Sequence, residues 1–273
     1  MSKKLAKYEM RLLREIADYR MLSFTQIVFL CEKSERSARR WRDHLLGEGL
    51  VELLSVRISC EPGRPEGVFG TSRNGLDVLR SEGILPKSVE FNLVGGEALI
   101  RQGAHQILLN WCRLHLVHLS RTSERLKSSF LSSNSPFDLD YTSGGPIVRD
   151  FVSVPDENDH EEKRHFIPDG VFIITDSKED KSLLFFLEVD SGSEPCDSSE
   201  AGRAAIAKKI QTYQLHFESE GYRRFENTWQ VRLNGFRVLF VTLTPGRMAS
   251  LCRVSQSMPP SNFIWVTCQE SLF

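Results

Sequence analysis

Apolar and polar residues alternate with a helical period through the first third of the chain. The segment "KYEMRLLREIADYRML" repeats apolar residues three and four positions apart, which predicts a helix with one buried face. A second, short helix is predicted for "FTQIVFLCE", and a third for "ERSARRWRDHLLG", which Ser34 can cap. The segments "LVELL" and "VFG" predict two strands, and "TSRNGLDVLRSEG" predicts a closing helix. Three helices, two strands and a further helix are therefore expected within residues 1–90.

The predicted third helix has two chemically different faces. Ala38, Trp41 and Leu45 share one face and can pack inward. The other face carries a stripe of arginines, made by Arg36, Arg39 and Arg40, with Arg42 nearby. Residues three and four apart are neighbours on a helix, so these guanidinium groups should form one basic surface.

The order of these elements resembles that of winged helix-turn-helix proteins. In that family the third helix enters the major groove, and the hairpin wing touches the neighbouring DNA backbone, here around Arg57 and Arg64. The resemblance implies that residues 1–90 form a domain that binds double-stranded DNA without help from the rest of the chain. A solvated helix face, or a module that binds another protein, is the alternative interpretation of the same arginines.

From residue 91 onward the pattern changes to an alternation of helices and strands. Helices are predicted for "ALIRQGAHQILLNWCRLHLVHL", "SSEAGRAAIAKKIQTYQLHF" and "GRMASLCRV", and the Ser-, Pro- and Gly-rich residues 128–146 are expected to form loops. Strands are predicted for "PIVRDFVSV", "HFIPDGVFII", "KSLLFFLEVD", "GFRVLFVTL" and "FIWVTCQ". We therefore expect a second domain over 91–273, an α/β layer with a mixed central sheet, joined to the first through a linker within 83–98.

Carboxylates follow the apolar strand residues of this second domain. Glu188 and Asp190 end the strand "LLFFLEVD", and strand alternation points both side chains the same way, about 7 Å apart. Asp169 begins the preceding strand, so pairing of the two strands would bring it beside them. Clustered carboxylates repel and take up protons unless a cation neutralises them, and oxygen ligands favour Mg²⁺ or Mn²⁺. The sequence thus predicts one divalent-cation site at these three residues.

The spacing of Pro168-Asp169 and Glu188 resembles the PD-(D/E)XK nuclease superfamily. In that superfamily, with its restriction-endonuclease-like fold, an Asp and a Glu hold a divalent ion for phosphodiester hydrolysis. The resemblance implies a catalytic site made by Asp169, Glu188 and Asp190, together with a lysine. Asp190 stands where the family usually has that lysine, so Lys209 or its neighbour Lys208, on the following helix, is the expected substitute.

The whole arrangement resembles the replication-relaxation family of plasmid-associated proteins. The resemblance rests on "HFIPDGVF", "FFLEVDSGSE" and "KKIQTY", which contain Glu188, Asp190, Gly192, Glu194, Lys209 and Tyr213. It implies DNA handling in plasmid replication or mobilisation. The expected protein partners are a second copy of the chain or the proteins of a relaxation complex.

Composition narrows the remaining choices. The net charge is −1, but residues 1–90 carry 16 Lys plus Arg against 13 Asp plus Glu, so any basic footprint is N-terminal. The longest apolar run is five residues, far below the roughly 20 of a membrane helix, and we expect a cytoplasmic protein without a membrane segment. The six cysteines lack CxxC spacing.

Three functions stay open: a metal-dependent nuclease or nickase, a non-catalytic DNA-binding factor, and a transcriptional regulator with a degenerate nuclease-like domain.

Overall fold

The computed structural model describes residues 5–55, 66–89, 97–140, 144–155, 160–191 and 200–271. By internal packing the chain divides into two units. The first unit contains Met1–Leu114 and Asn134–Leu139, and the second contains His115–Ser133 and Asp140–Phe273. Within the described residues no helix is long and apolar enough to cross a membrane.

The first unit contains the helices and strands predicted for it and one further strand. Its helices are α1 (Lys7–Asp18), α2 (Phe24–Cys31), α3 (Glu35–Gly47) and α4 (Arg73–Ser81), and α5 (Glu97–Thr122) begins in it. Its strands are β1 (Met21–Ser23), β2 (Val51–Leu54) and β3 (Val68–Thr71), which form an antiparallel sheet in the order β1-β3-β2. The three-residue strand β1 is too short for any periodicity to predict.

Side-chain caps fix where the helices of the first unit begin. Ser23, Ser34 and Ser72 accept hydrogen bonds from backbone amides in the first turns of α2, α3 and α4. The helices pack around a core of apolar side chains that includes Leu13, Ile16, Ile27, Ala38, Trp41, Leu45 and Leu79. Gly75 belongs to this packing, because a Cβ atom there would lie 2.1 Å from the carbonyl oxygen of Leu50. The apolar positions that predicted the helices are thus the buried ones.

Polar side chains on α5 hold it to the rest of the first unit. The buried Gln26 amide donates to the carbonyl of Ile107 at 2.8 Å, and the buried Asn110 amide donates to the carbonyl of Tyr19 at 3.2 Å. The guanidinium of Arg113 lies 3.0 Å from the carboxylate of Asp18. The division by packing consequently falls after Leu114 instead of after residue 90. The two functional domains, 1–90 and 91–273, stay a prediction.

The second unit is built around a mixed five-stranded sheet. Its helices after α5 are α6 (Glu200–Glu218), α7 (Arg224–Trp229) and α8 (Pro245–Gln256). Its strands are β4 (Leu126–Ser132), β6 (Gly145–Pro146), β7 (Asp150–Pro155), β8 (Glu161–Phe166), β9 (Gly170–Asp176), β10 (Lys181–Asp190), β11 (Phe236–Thr242) and β12 (Ile264–Cys268). The two-residue strand β5 (Leu139–Asp140) has one residue in each unit. The main sheet has the order β12-β11-β10-β9-β4; β10, β11 and β12 run parallel, and β9 is antiparallel to its neighbours β10 and β4. A mixed α/β architecture is therefore confirmed.

Two parts of the second unit differ from the sequence prediction. The stretch 128–146, expected to form loops, contains most of β4, which is an edge strand of the main sheet. The predicted strand "PIVRDFVSV" lies outside that sheet, because β7 pairs antiparallel with β8 in a separate hairpin. Helix α6 lies between β10 and β11 in the chain, as predicted, and its buried residues Ile206, Ile210 and Tyr213 join a core with Phe186, Phe236 and Val238.

Candidate functional site

The carboxylates predicted from the sequence lie at one end of the five-stranded sheet. Gly170 of β9 pairs with Leu187 of β10, so Asp169, just before β9, lies opposite Glu188. Opposed residues of an antiparallel pair share one face of the sheet. Glu188 and Asp190 also mark the carboxyl end of β10 beside the parallel strand β11. Sites of α/β proteins commonly lie beyond the carboxyl ends of such strands.

Glu188 is buried and is held by two side chains of α6. Its Oε2 lies 2.8 Å from the Nζ atom of Lys209, and its Oε1 accepts a hydrogen bond from the hydroxyl of Tyr213. The two partners are four residues apart, on one face of the helix. The structure thus brings Glu188 together with Lys209, one of the two lysines predicted to serve the site.

Burial dominates the electrostatics of this cluster. Removal of Glu188 from water raises the pKa of its carboxyl group, and the positive charge of Lys209 acts in the opposite direction. The pKa of the Tyr213 hydroxyl is raised well above its ordinary value, first by burial and then by the nearby charge of Glu188. Tyr213 consequently stays protonated and donates to Glu188. The family resemblance includes Tyr213, but its contact with Glu188 is evident only from the fold.

Asp169 is fixed by the backbone of the neighbouring strand. Its Oδ2 accepts a hydrogen bond of 2.7 Å from the amide of Val189. The negative charge of Asp169 is one of the causes that raise the pKa of Glu188. Asp169 and Glu188 therefore form a pair of interacting carboxylates, as the strand pairing predicted.

Asp190, the third predicted carboxylate, has a cationic partner. Its Oδ2 accepts a hydrogen bond of 2.8 Å from Nε of Arg247, in the first turn of α8. The side chains of Arg247 and Asp190 are only 11% and 17% exposed. The two residues are 57 positions apart in the sequence and meet only through the fold.

These contacts decide how a divalent cation would fit. Within the part of the chain that the structure describes, no group of three or more His, Cys, Asp and Glu side chains is placed to hold a metal ion. Mg²⁺ needs only one or two carboxylates, since it keeps several of its waters. Asp169 and Glu188 fit such an ion as a pair. Asp190 is paired with Arg247, and the three-carboxylate site stays a prediction.

The arginines predicted to contact DNA differ in their surroundings. Arg36, Arg39 and Arg40 are exposed on α3, opposite its buried residues. Arg39 also pairs with Glu35 one turn earlier on the helix. The side chains of Arg36 and Arg40 have no ion-pair partner among the residues that the structure covers. A basic helix face is thus present at the predicted position.

Arg42 is largely buried, unlike the other three arginines of α3, and it packs against aromatic rings. Its guanidinium lies over the rings of Phe24, at 4.6 Å, and Phe69, at 5.2 Å, and donates to Asp43. Its side chain is 16% exposed. Arg42 therefore packs α3 against α2 and β3, a role that the spacing of the arginines alone could not predict. Arg57 and Arg64 lie outside the described residues.

Comparison with known proteins identifies the family. The family model described as replication-relaxation matches residues 13–231, which include α3, both paired carboxylates and the helix that carries Lys209. No curated protein matches the chain. The chain belongs to the replication-relaxation family.

Proposed function

We propose that the protein binds duplex DNA through α3 and acts in plasmid replication or mobilisation. The family suggests a role of that kind, and the observation that carries the proposal is the exposed stripe of Arg36, Arg39 and Arg40 on a helix whose other face is buried. An arginine stripe on a rigid helix suits the phosphates and base edges of a major groove. The first unit would then be a winged helix-turn-helix module.

The salt dependence of duplex binding tests this proposal. In the full chain, the variant R36A/R39A/R40A should bind more weakly, and the slope of log K against log salt should fall by about 0.9 for each phosphate that the variant no longer neutralises. The matched control K178Q/K181Q/R223Q removes the same charge from exposed positions of the second unit. Equal affinities and slopes for wild type and the α3 variant would show that α3 is not the DNA surface.

A second candidate function is phosphodiester hydrolysis by a site of the PD-(D/E)XK type. The register that opposes Asp169 to Glu188, and the contact of Lys209 with Glu188, support it. Asp169 and Glu188 would hold Mg²⁺ or Mn²⁺, which supplies Lewis-acid stabilisation of charge on a phosphate. Lys209, half-exposed at the edge of the site, would contact the phosphate of the strand.

A non-catalytic role for the same domain has its own supporting observation. Lys209 and Arg247 already neutralise Glu188 and Asp190, which lets the carboxylates persist without a metal ion. Incubation of supercoiled plasmid with Mg²⁺ or Mn²⁺ separates the two roles. Nicking by wild type that is abolished in D169N and in E188Q would identify a nuclease. If the wild type leaves the plasmid intact, and D169N and E188Q bind duplex DNA as tightly as the wild type does, the protein is a DNA-binding factor that uses the domain as a scaffold.

A further inference from the structure

The hairpin β7–β8 has one buried and one exposed face. Phe151 pairs with His165 and Ser153 with Lys163, so these four side chains share a face, and all four are exposed. Arg149 directly precedes β7 and Ile167 directly follows β8, and both are exposed. We call these six residues the hairpin face; beyond them the outer side ends at Pro155 and Glu161.

The opposite side of the hairpin is anchored in the second unit. Asp150 accepts a hydrogen bond of 2.7 Å from Arg224, and Arg164 donates to Thr212 of α6 at 3.1 Å. The ring of Phe166 packs edge-on against that of Tyr213, with centroids 5.5 Å apart. Because its inner side is fixed by these contacts, the hairpin presents its outer face as a rigid surface.

Aromatic and cationic side chains interleave on the hairpin face. Phe151 is 41% exposed, an unusual exposure for a Phe on a strand. The Nζ atom of Lys163 lies 4.4 Å from the centroid of this ring, and the His165 ring meets it at 5.9 Å. Lys163 is thus a strong cation against one exposed aromatic ring, and the exposed Arg149 lies two residues before Phe151 in the chain. Glu161 is an acid on the same side of the hairpin, two residues from Lys163.

We propose that the hairpin face binds single-stranded nucleic acid. An exposed aromatic ring stacks on any base, and cations beside it bind the phosphates on either side, which is the combination that single-strand binding surfaces use. An apolar protein partner fits this face less well, because Lys163 and His165 lie against the ring of Phe151 and lysine is depleted from protein interfaces. Single-stranded nucleic acid suits this face better than a duplex does, because a base must be unstacked before it can contact the ring of Phe151.

The position of the hairpin face along the chain relates it to the paired carboxylates. Only Ile167 and Pro168 separate Phe166, the last residue of β8, from Asp169. Three residue-to-residue steps of extended chain span at most about 11 Å. A strand held on the hairpin face would therefore lead toward the end of the sheet where Asp169 and Glu188 lie. The binding inference itself stands apart from the proposed function, since none of its six residues belongs to α3 or to the carboxylate pair.

Fluorescence anisotropy of the full chain with a labelled oligothymidine of about a dozen nucleotides tests the inference. F151A should weaken binding at least fivefold, roughly the effect of removing one stacked base, whereas F151W, which keeps a stacking ring, should bind as wild type does. R149Q/K163Q should lower the salt slope by about 1.4, from two single-strand phosphate contacts. The matched controls are W265A, an exposed aromatic on β12, and K181Q, an exposed lysine on β10.

The same titrations on the α3 variant R36A/R39A/R40A separate this inference from duplex binding. Single-strand affinity that persists in the α3 variant and falls in F151A supports the hairpin face, whether or not the wild type binds duplex. Three results would overturn it: no oligothymidine binding by wild type at low salt, equal affinities for wild type and F151A, or equally effective competition by poly-glutamate. The last result would reveal a surface for acidic peptides.

Discussion

The ammonium of Lys209 on α6 lies 2.8 Å from the Oε2 atom of Glu188 on β10. The lysine side chain is 49% exposed and the glutamate side chain 6%, so the pair connects a buried charge with solvent. Tyr213, one turn further along α6, binds the other carboxylate oxygen. Two contacts from one helix therefore fix the register of α6 on the sheet, and they leave the buried carboxylate with both partners on the same side.

Removal of Lys209 should lower the stability of the protein, because Lys209 is the cationic partner of the buried Glu188. K209M removes the cation that opposes the effect of burial on Glu188, and we expect the free energy of unfolding at neutral pH to fall by about 1–3 kcal/mol, nearer the lower value because water screens the half-exposed lysine. E188Q removes the charge itself, so K209M/E188Q should recover most of the stability. Urea unfolding of the two single variants and the double variant gives the coupling energy. A coupling energy near zero would show that the pair contributes nothing to stability.

A buried histidine should make the stability of the second unit depend on pH. His216 is fully buried among aromatic rings, with Phe166 and Phe186 at centroid distances of 5.2 and 5.4 Å. Burial lowers its pKa; Asp150, 3.5 Å away, opposes that shift and Arg224 adds to it. The unfolded chain therefore takes up a proton at a higher pH than the folded chain does. The stability that neutral His216 contributes is present above its ordinary pKa of 6.5 and is lost as the pH falls through the lowered folded value.

Urea unfolding at about pH 7.5 and about pH 5.5 measures this effect. Between the lowered pKa of the folded state and the ordinary value, only the unfolded histidine is protonated. Over that interval the free energy of unfolding of the wild type should fall by up to about 1.4 kcal/mol for each pH unit. H216L cannot titrate and should lose less over the same range, whatever its stability at the higher pH. H165Q, at an exposed position, is the matched control and should behave as the wild type. Parallel pH profiles for wild type and H216L would contradict the assignment.

The first unit should need α5 in order to fold. Without α5, the buried amide of Gln26 and the carbonyls of Tyr19 and Met21 lose partners that Ile107 and Asn110 supply. Each hydrogen bond lost costs about 0.5–1.5 kcal/mol, and together they are a large fraction of the stability of a small domain. A fragment of residues 1–139 should therefore melt cooperatively by circular dichroism, whereas a fragment of residues 1–90 should not. Cooperative melting of the shorter fragment at the same temperature would restore the domain limit expected from the sequence.

The spacing of apolar and polar residues predicted those helices and strands whose buried faces follow from their own sequence. The spacing of Leu13, Ile16 and Leu45 marked buried helix faces, and the strand ending in Glu188 marked one end of the sheet. β4 was missed because its sequence, "LKSSFLS", has three serines and a lysine and only a weak apolar alternation. An edge strand can be this polar because much of its surface meets water.

Contacts between distant residues could not be predicted in the same way. Lys209 was expected near the carboxylates only through the family resemblance, because nothing in its own helix indicates which strand it faces. Arg247 is 57 residues from Asp190, and Arg42 has the spacing of a fourth member of the basic stripe although Phe24 and Phe69 lie beneath it. The site is therefore predictable in its residue types, and its pairings come from the fold.

The pairing of Asp190 with Arg247 leads to a prediction about metal binding that differs from the one made from the sequence. If Asp169 and Glu188 alone hold the ion, D169N and E188Q should each abolish the heat of Mn²⁺ binding in calorimetry, whereas D190N should retain it, because the Asp190 carboxylate is occupied by a guanidinium. R247Q releases that carboxylate and should strengthen Mn²⁺ binding, and the double variant D190N/R247Q should remove the gain. Failure of D190N to bind Mn²⁺ would reinstate the three-carboxylate site. No heat from the wild type at millimolar Mn²⁺, with higher melting temperatures in D169N and E188Q, would instead show that the paired carboxylates repel each other without a metal ion, as expected of a scaffold.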